Sequence, residues 1–129
     1  MLQDPADIAR AAFLTYVDKD RAAIEALIAE EFRFTSPLDN GLDRATYFDR
    51  CWPNSKTLSG FDFIHVVPAG ERVFVTYEAR SSRGQRFRNT EIMTIRNGQI
   101  HAVEVYFGWS IPHEAPAGGF LQDGARSGG

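Results

Sequence analysis

The dipeptide Asn97-Gly98, set between two alternating runs, constrains this chain more than any other feature. Both central residues of a two-residue hairpin turn adopt positive φ, which Asn tolerates and Gly adopts freely. "NTEIMTIRNGQIHAVEVYFGW" (residues 89–109) therefore predicts two antiparallel strands in a defined register. Register matters because a slip of one residue sends every side chain to the opposite face. Alternation places Phe87, Asn89, Glu91, Met93 and Ile95 on one face of the first strand, and Arg86, Arg88, Thr90, Ile92, Thr94 and Arg96 on the other. The first set is mainly apolar and predicts a covered wall, whereas the second predicts a solvated or subunit-facing surface. Glu91 is the exception within the covered set. A carboxylate removed from water is costly unless paired or hydrogen-bonded, and desolvation raises its pKa. Two readings follow: a pocket acid, base or ligand anchor, and a residue at a cavity mouth satisfied by an arginine or by water.

The segments "GFDFIHVVPAG" and "ERVFVTYEARSS" read as two further strands bounded by Gly, Ser or Asn turns, and such short connections predict antiparallel neighbours. Ahead of them the texture is helical. Asp4-Pro5 provides an N-cap and a proline at the first helical position, followed by Ile8, Ala12, Phe13, Tyr16 and Val17 at helical spacing. Asp20 caps a second helix whose buried stripe is Ile24, Leu27 and Ile28. "EFRFTSP" is a short strand with Phe32 and Phe34 on one face, and "LDNG" is a loop. Asp43 caps a third helix running through Tyr47, Phe48, Cys51 and Trp52, closed by Pro53. Helices gathered before a run of strands predict an α+β arrangement with one sheet face covered. Residues 1–111 form the single domain, and the Gly- and Pro-rich stretch 112–129 is an irregular tail.

Charge and composition remove several function classes. With 14 basic against 17 acidic residues, the net charge of -3 supplies no basic face for a nucleic acid. Arg80, Arg83, Arg86 and Arg88 form a local basic cluster, either a solvated hairpin end or an anion site. The single cysteine, Cys51, permits no intrachain disulfide and no cysteine-based zinc framework, and the scattered His65, His101 and His113 lack ligand spacing. No metal and no cofactor are expected. No run approaches the roughly 20 apolar residues of a membrane span, and the N-terminus lacks a signal-peptide pattern, so a cytoplasmic protein is expected. Nucleophile-elbow, Walker and dinucleotide motifs are all missing from the sequence.

The helix-turn-helix "AAFLTYVDKDRAAIEALIAEEFRFTSP", the third helix, and "IRNGQI" followed by "VEVYFGW" come in a telling order. In it the chain resembles the nuclear transport factor 2 superfamily and, within it, the SnoaL-like proteins. The resemblance implies N-terminal helices packed on a strongly curved antiparallel sheet that forms a cone-shaped cavity, a cystatin-like α+β barrel. It also implies a homodimer through the outer sheet face. The superfamily hosts ketosteroid isomerases, polyketide cyclases, epoxide hydrolases, dehydratases and non-catalytic binding modules, so chemistry has to be argued residue by residue.

By resemblance to ketosteroid isomerase, Tyr16 stands where a tyrosine donates to a developing oxyanion, and Glu91 where a neutral carboxylic acid donates beside it. The aspartate base that precedes a proline in that family is replaced here by Ser36 before Pro37, and Asp39 is the expected substitute. By resemblance to epoxide hydrolases, an Arg-x-Asp pair becomes Asn89-x-Glu91, and a second acid falls at Val105 while Glu104 alternates outward. His65 shares parity with Phe61 and Phe63, which makes it either a cavity base or a structural histidine. Asn89, Phe34, Trp52, Tyr77, Met93, Val105 and Phe107 are the expected substrate-binding lining. The expected function is binding of a small hydrophobic or aromatic molecule, with cofactor-free acid/base chemistry of isomerase, cyclase, dehydratase or hydrolase type. Glu91 would be the central acid or base, Tyr16 the hydroxyl donor, and His65 or Asp39 the second proton carrier. The alternative is a non-catalytic ligand-binding or protein-interaction module.

Overall fold

The computed structural model describes residues 4–117. Helix α1 (Pro5–Asp18) begins where Asp4 caps it, the Asp4 carboxylate accepting from the Ala6 amide at 2.9 Å, and ends at Lys19 in the left-handed region. Helix α2 (Arg21–Leu27) is capped by Asp20, which accepts from the Ala23 amide. Strand β1 (Ile28–Ser36) starts directly from α2, so Ile28 is the first residue of a strand and not part of the helical stripe expected from its spacing. Its β-branched side chain is buried and it pairs with Ile100, a tertiary contact that overrides the local helical pattern.

The "LDNG" segment is also not a loop. Asp39–Leu42 forms a short strand, β2, that folds back antiparallel on β1, with Gly41 at φ 64°. Helix α3 (Arg44–Arg50) is capped by Asp43, as expected, but it stops before Cys51. A 3-10 turn (Trp52–Lys56) follows, and Pro53 lies inside its first turn, where no amide donor is required, rather than closing the helix. Four long strands follow: β3 (Leu58–Ala69), β4 (Arg72–Ser81), β5 (Arg86–Arg96) and β6 (Gln99–Ser110).

The six strands form one sheet in the order β2-β1-β6-β5-β4-β3. All neighbours are antiparallel except β1 and β6, which run parallel. That pair is joined by most of the chain, so no hairpin dictates its direction. The sheet is therefore mixed, and β2 and β3 remain as free edges, so it curls around the helices without closing into a barrel. At the β5–β6 turn both Asn97 (φ 52°) and Gly98 (φ 75°) adopt the left-handed region, as the hairpin signal requires.

The core lies between the helices and the concave face. Ile8 of α1, Ile24 of α2, Phe32 of β1, Val73 and Val75 of β4, and Ile100 of β6 are fully enclosed. On the convex face Glu78 accepts from both Arg86 and Arg88, and Arg80 pairs with Asp62. Three of the clustered arginines are thus answered by carboxylates at the hairpin end. The Arg88 and Arg86 guanidiniums hold Glu78 below the usual carboxylate range. Among the described residues no helix is long and apolar enough to cross a membrane. Phe32 touches both α3 and the sheet core, its ring 4.9 Å from that of Tyr47. Phe32→Ala is expected to cost about 3–5 kcal/mol of unfolding free energy, read from the shift of a urea midpoint at unchanged slope.

Candidate functional site

Between the helices and the concave face lies a cavity of about 690 Å³, inside the range of roughly 300–1,000 Å³ usual for small-molecule sites. Its walls are mostly aromatic and aliphatic, with Phe13, Phe34, Phe61 and Phe87 among them, and its floor is made by Ile24, Ile28, Ile100 and Val103. Leu38, Phe107 and Trp109 line it while remaining well exposed, which marks the mouth.

Glu91 stands in the middle of β5, flanked by Val75 of β4 and Val105 of β6, with its carboxyl on the concave side. Protein surrounds it on every side, and the part of its surface that stays accessible faces the cavity. Burial pushes its carboxyl up to about 7, an effect that the Tyr77 hydroxyl partly offsets by donating to Oε2 at 2.7 Å. Behind Tyr77 runs a short relay. Asn89 Nδ2 donates weakly to the Tyr77 hydroxyl at 3.4 Å, and the Gly108 amide donates to Asn89 Oδ1 at 3.1 Å. Tyr77 itself is strongly raised by burial and by the neighbouring Glu91 charge, so it remains a donor at any ordinary pH.

The relay depends on a break in the β5–β6 register. Arg88 pairs with Trp109 and Asn89 with Phe107, leaving Gly108 as the extra residue. A Cβ at Gly108 would lie 2.1 Å from the Arg88 carbonyl oxygen, so only glycine permits this close approach. Gly108 was not among the expected site residues, although a glycine inside an alternating strand is a bulge signal and "YFGW" displayed it.

Tyr16 and Tyr47 form a second polar pair, their hydroxyl oxygens 2.6 Å apart. Burial raises both well above the ordinary tyrosine value, so both stay neutral. Asp39 enters the cavity wall from β2. Its Oδ2 accepts from Ser36 Oγ at 3.0 Å, and its Oδ1 sits 3.0 Å from Arg50 Nη2 without an aligned hydrogen bond. Ser36, which stands at the position of the missing base, thus tethers the carboxylate three residues on. Burial, with help from the Asp39 charge, pushes the Cys51 thiol up to about 11, which makes it a poor nucleophile near neutrality.

Of the expected site residues, Glu91, Tyr16, Asp39, Asn89, Phe34, Tyr77, Met93, Val105 and Phe107 line this cavity. His65 and Trp52 do not. Phe63 pairs with Tyr77 but His65 pairs with Thr76, so a bulge at Ile64 reverses the alternation and turns His65 onto the exposed convex face. Trp52 packs its ring 4.9 Å from Tyr16 but opens onto a separate surface groove with Arg21, Arg44 and Phe48. Its position after α3, in the 3-10 turn, rotates it away from the cavity. Among the described residues no group of three His, Cys, Asp or Glu could hold a metal ion.

Helices roofing a curled sheet around an apolar cavity define an NTF2-like protein. The chain belongs to the SnoaL-like domain family, whose model matches residues 9–103. Solved structures share the fold at low identity. An NTF2-like protein of unknown function from Cytophaga hutchinsonii matches with a TM-score of 0.69 and 15% identity, over 84% of this chain and 93% of that one. A ketosteroid isomerase-like protein from Kribbella flavida matches with a TM-score of 0.69 and 16% identity, over 91% and 86%. A protein of unknown function with a cystatin-like fold from Xanthomonas campestris matches with a TM-score of 0.70 and 16% identity, over 86% and 93%. No curated protein matches the chain in sequence.

Glu91 also makes stability depend on pH. Its folded pKa of about 7 lies above the unfolded value near 4.5, so the folded state binds the proton more tightly and loses stability as pH rises between the two. Glu91→Gln removes this loss. The variant is expected to match the parent below about pH 4.5 and to exceed it by on the order of 2–3 kcal/mol above about pH 7.5, in denaturant titrations across that window.

Proposed function

We propose that this protein binds a small, largely hydrophobic or aromatic molecule in the cavity and exchanges a proton with it without a cofactor, in a reaction of isomerase, cyclase, dehydratase or hydrolase type. The observation that carries this reading is Glu91, a carboxyl on an apolar wall, with one oxygen held by Tyr77 and its pKa raised to about 7. A group poised near the working pH is the most effective general acid or base, because it is populated in both protonation states. Tyr77 fixes the carboxyl's orientation and leaves Oε1 for the ligand. The Tyr16–Tyr47 pair offers a neutral hydroxyl to a ligand oxygen. Asp39 is the remaining candidate for a second proton carrier.

A specific feature favours a second reading, in which the cavity only binds. Asp39 is held by Ser36 and Arg50, and His65 lies on the other face, so among the described residues Glu91 has no free second carrier beside it. A thermal-shift screen of small aromatic and carbonyl compounds separates the readings, since any pocket ligand stabilises the fold. Hits are then incubated in heavy water. The proton-transfer reading expects deuterium uptake at the ligand's acidic carbon, seen by NMR, and a drop of about a hundredfold or more in Glu91→Gln. Binding without uptake supports the non-catalytic reading, and a screen with no hits overturns both.

The partner expected of the convex face is a second copy of this chain. Val67 and Phe74, which pair with each other, are exposed there, Ile92 lies beside Phe74, and Tyr106 is exposed in the neighbouring row. Sedimentation equilibrium should give a dimer for the parent chain and a monomer for Tyr106→Glu, whereas a parent that is monomeric throughout overturns the assignment.

A further inference from the structure

The cavity lining contains no lysine, arginine or histidine among the described residues, and its ionisable carboxyls are Asp39 and Glu91. They are answered differently. Arg50 stands against Asp39 at 3.0 Å, but among the described residues no salt bridge reaches Glu91. Its partner among those residues is the Tyr77 hydroxyl, on Oε2. The remaining wall is mainly aromatic and aliphatic with a few neutral polar groups, and Phe13, Tyr16, Phe61, Tyr77 and Phe87 contribute rings. A largely buried carboxyl with one oxygen left open, in a cavity whose lining is rich in rings, is complementary to a cation on an apolar body: the carboxylate neutralises the charge and the rings take the body. An anionic ligand would meet Glu91 and an Asp39 already paired with Arg50, with no cation in the described lining left to receive it.

We propose that the molecule taken into this cavity is a hydrophobic amine, an aromatic or aliphatic body carrying a protonated nitrogen that docks on Glu91. This rests on the pocket reading given above and narrows its ligand class. The titratable groups facing Glu91 are Tyr77 from β4, Tyr16 from α1, and Tyr47 and Cys51 from α3 and its end; its β6 neighbour, Val105, does not titrate. All four are neutral near pH 7, where Glu91 is populated in both forms, so docking of the ammonium draws it to the carboxylate and the protonated fraction releases its proton to solvent. In the complex Glu91 is then a carboxylate whose charge the ammonium neutralises.

The test compares three probes of one shape: naphthylmethylamine, naphthylmethanol and naphthoate, titrated by calorimetry into the whole chain. The amine is expected to bind about tenfold or more tighter than the alcohol at neutral pH, and naphthoate weakest. Because the binding form is the ionised one, amine affinity should rise about thirtyfold between about pH 5.5 and pH 8. Proton release, read from the buffer dependence of the heat, should fade over the same interval. Glu91→Gln should abolish the amine's advantage and leave the alcohol's affinity in place. If alcohol and amine bind alike, or if affinity falls as pH rises, the pocket stands and the amine assignment is overturned. If none of the three binds, the pocket reading falls with it.

Discussion

The structure depends on period-two alternation across the β4–β5–β6 ladder. Once the Asn97-Gly98 turn sets the register of β5 against β6, every second residue is committed to the concave side. The helices then have one apolar surface to cover. Phe13 from α1 and Tyr47 from α3 meet rings from the sheet edge-on or tilted, at centroid separations near 5 Å. These rings line the walls of the cavity.

Within that space two forces compete on one carboxyl. Desolvation favours the protonated form of Glu91, while the Tyr77 hydroxyl favours the ionised one, and desolvation is the stronger. The balance makes a carboxyl that changes charge near neutrality without a charged neighbour. Glu78, on the convex side of the adjacent strand, shows the opposite outcome. It too exposes little surface, but the side chains covering it are arginines, and its charge is held. The two glutamates differ in their surroundings: Glu91 is desolvated within the protein and meets a hydroxyl, whereas Glu78 lies near the surface and meets two guanidiniums.

Much of this was legible in the sequence because it follows from local rules. The caps at Asp4, Asp20 and Asp43, the hairpin at Asn97-Gly98, and the inward set from Phe87 to Ile95 are each encoded within a few residues. What was not legible depended on contacts distant in the chain. Ile28 belongs to a strand because Ile100 waits beside it, and Asp39–Leu42 is a strand because β1 offers an edge. His65 was misplaced because parity counting assumes an unbroken ladder, and the bulge at Ile64 breaks it. Trp52 was misplaced because a helical count was carried across a 3-10 turn of different pitch. The union of Ser36 with Asp39, and of Tyr16 with Tyr47, required the tertiary structure to bring side chains together.

The register breaks near Ile64 and Gly108 bear on how such a cavity can change over time. Each is a single surplus residue, beyond which a strand presents its other set of side chains. Loss of either would remove the bulge and leave the partners on both sides in place. Without Ile64, Phe63 would still pair with Tyr77 and His65 with Thr76, so the imidazole would stay on the convex face. Surplus residues of this kind can thus come and go by insertion and deletion, while the inward-facing rows and the floor around Ile28 and Ile100 are left intact.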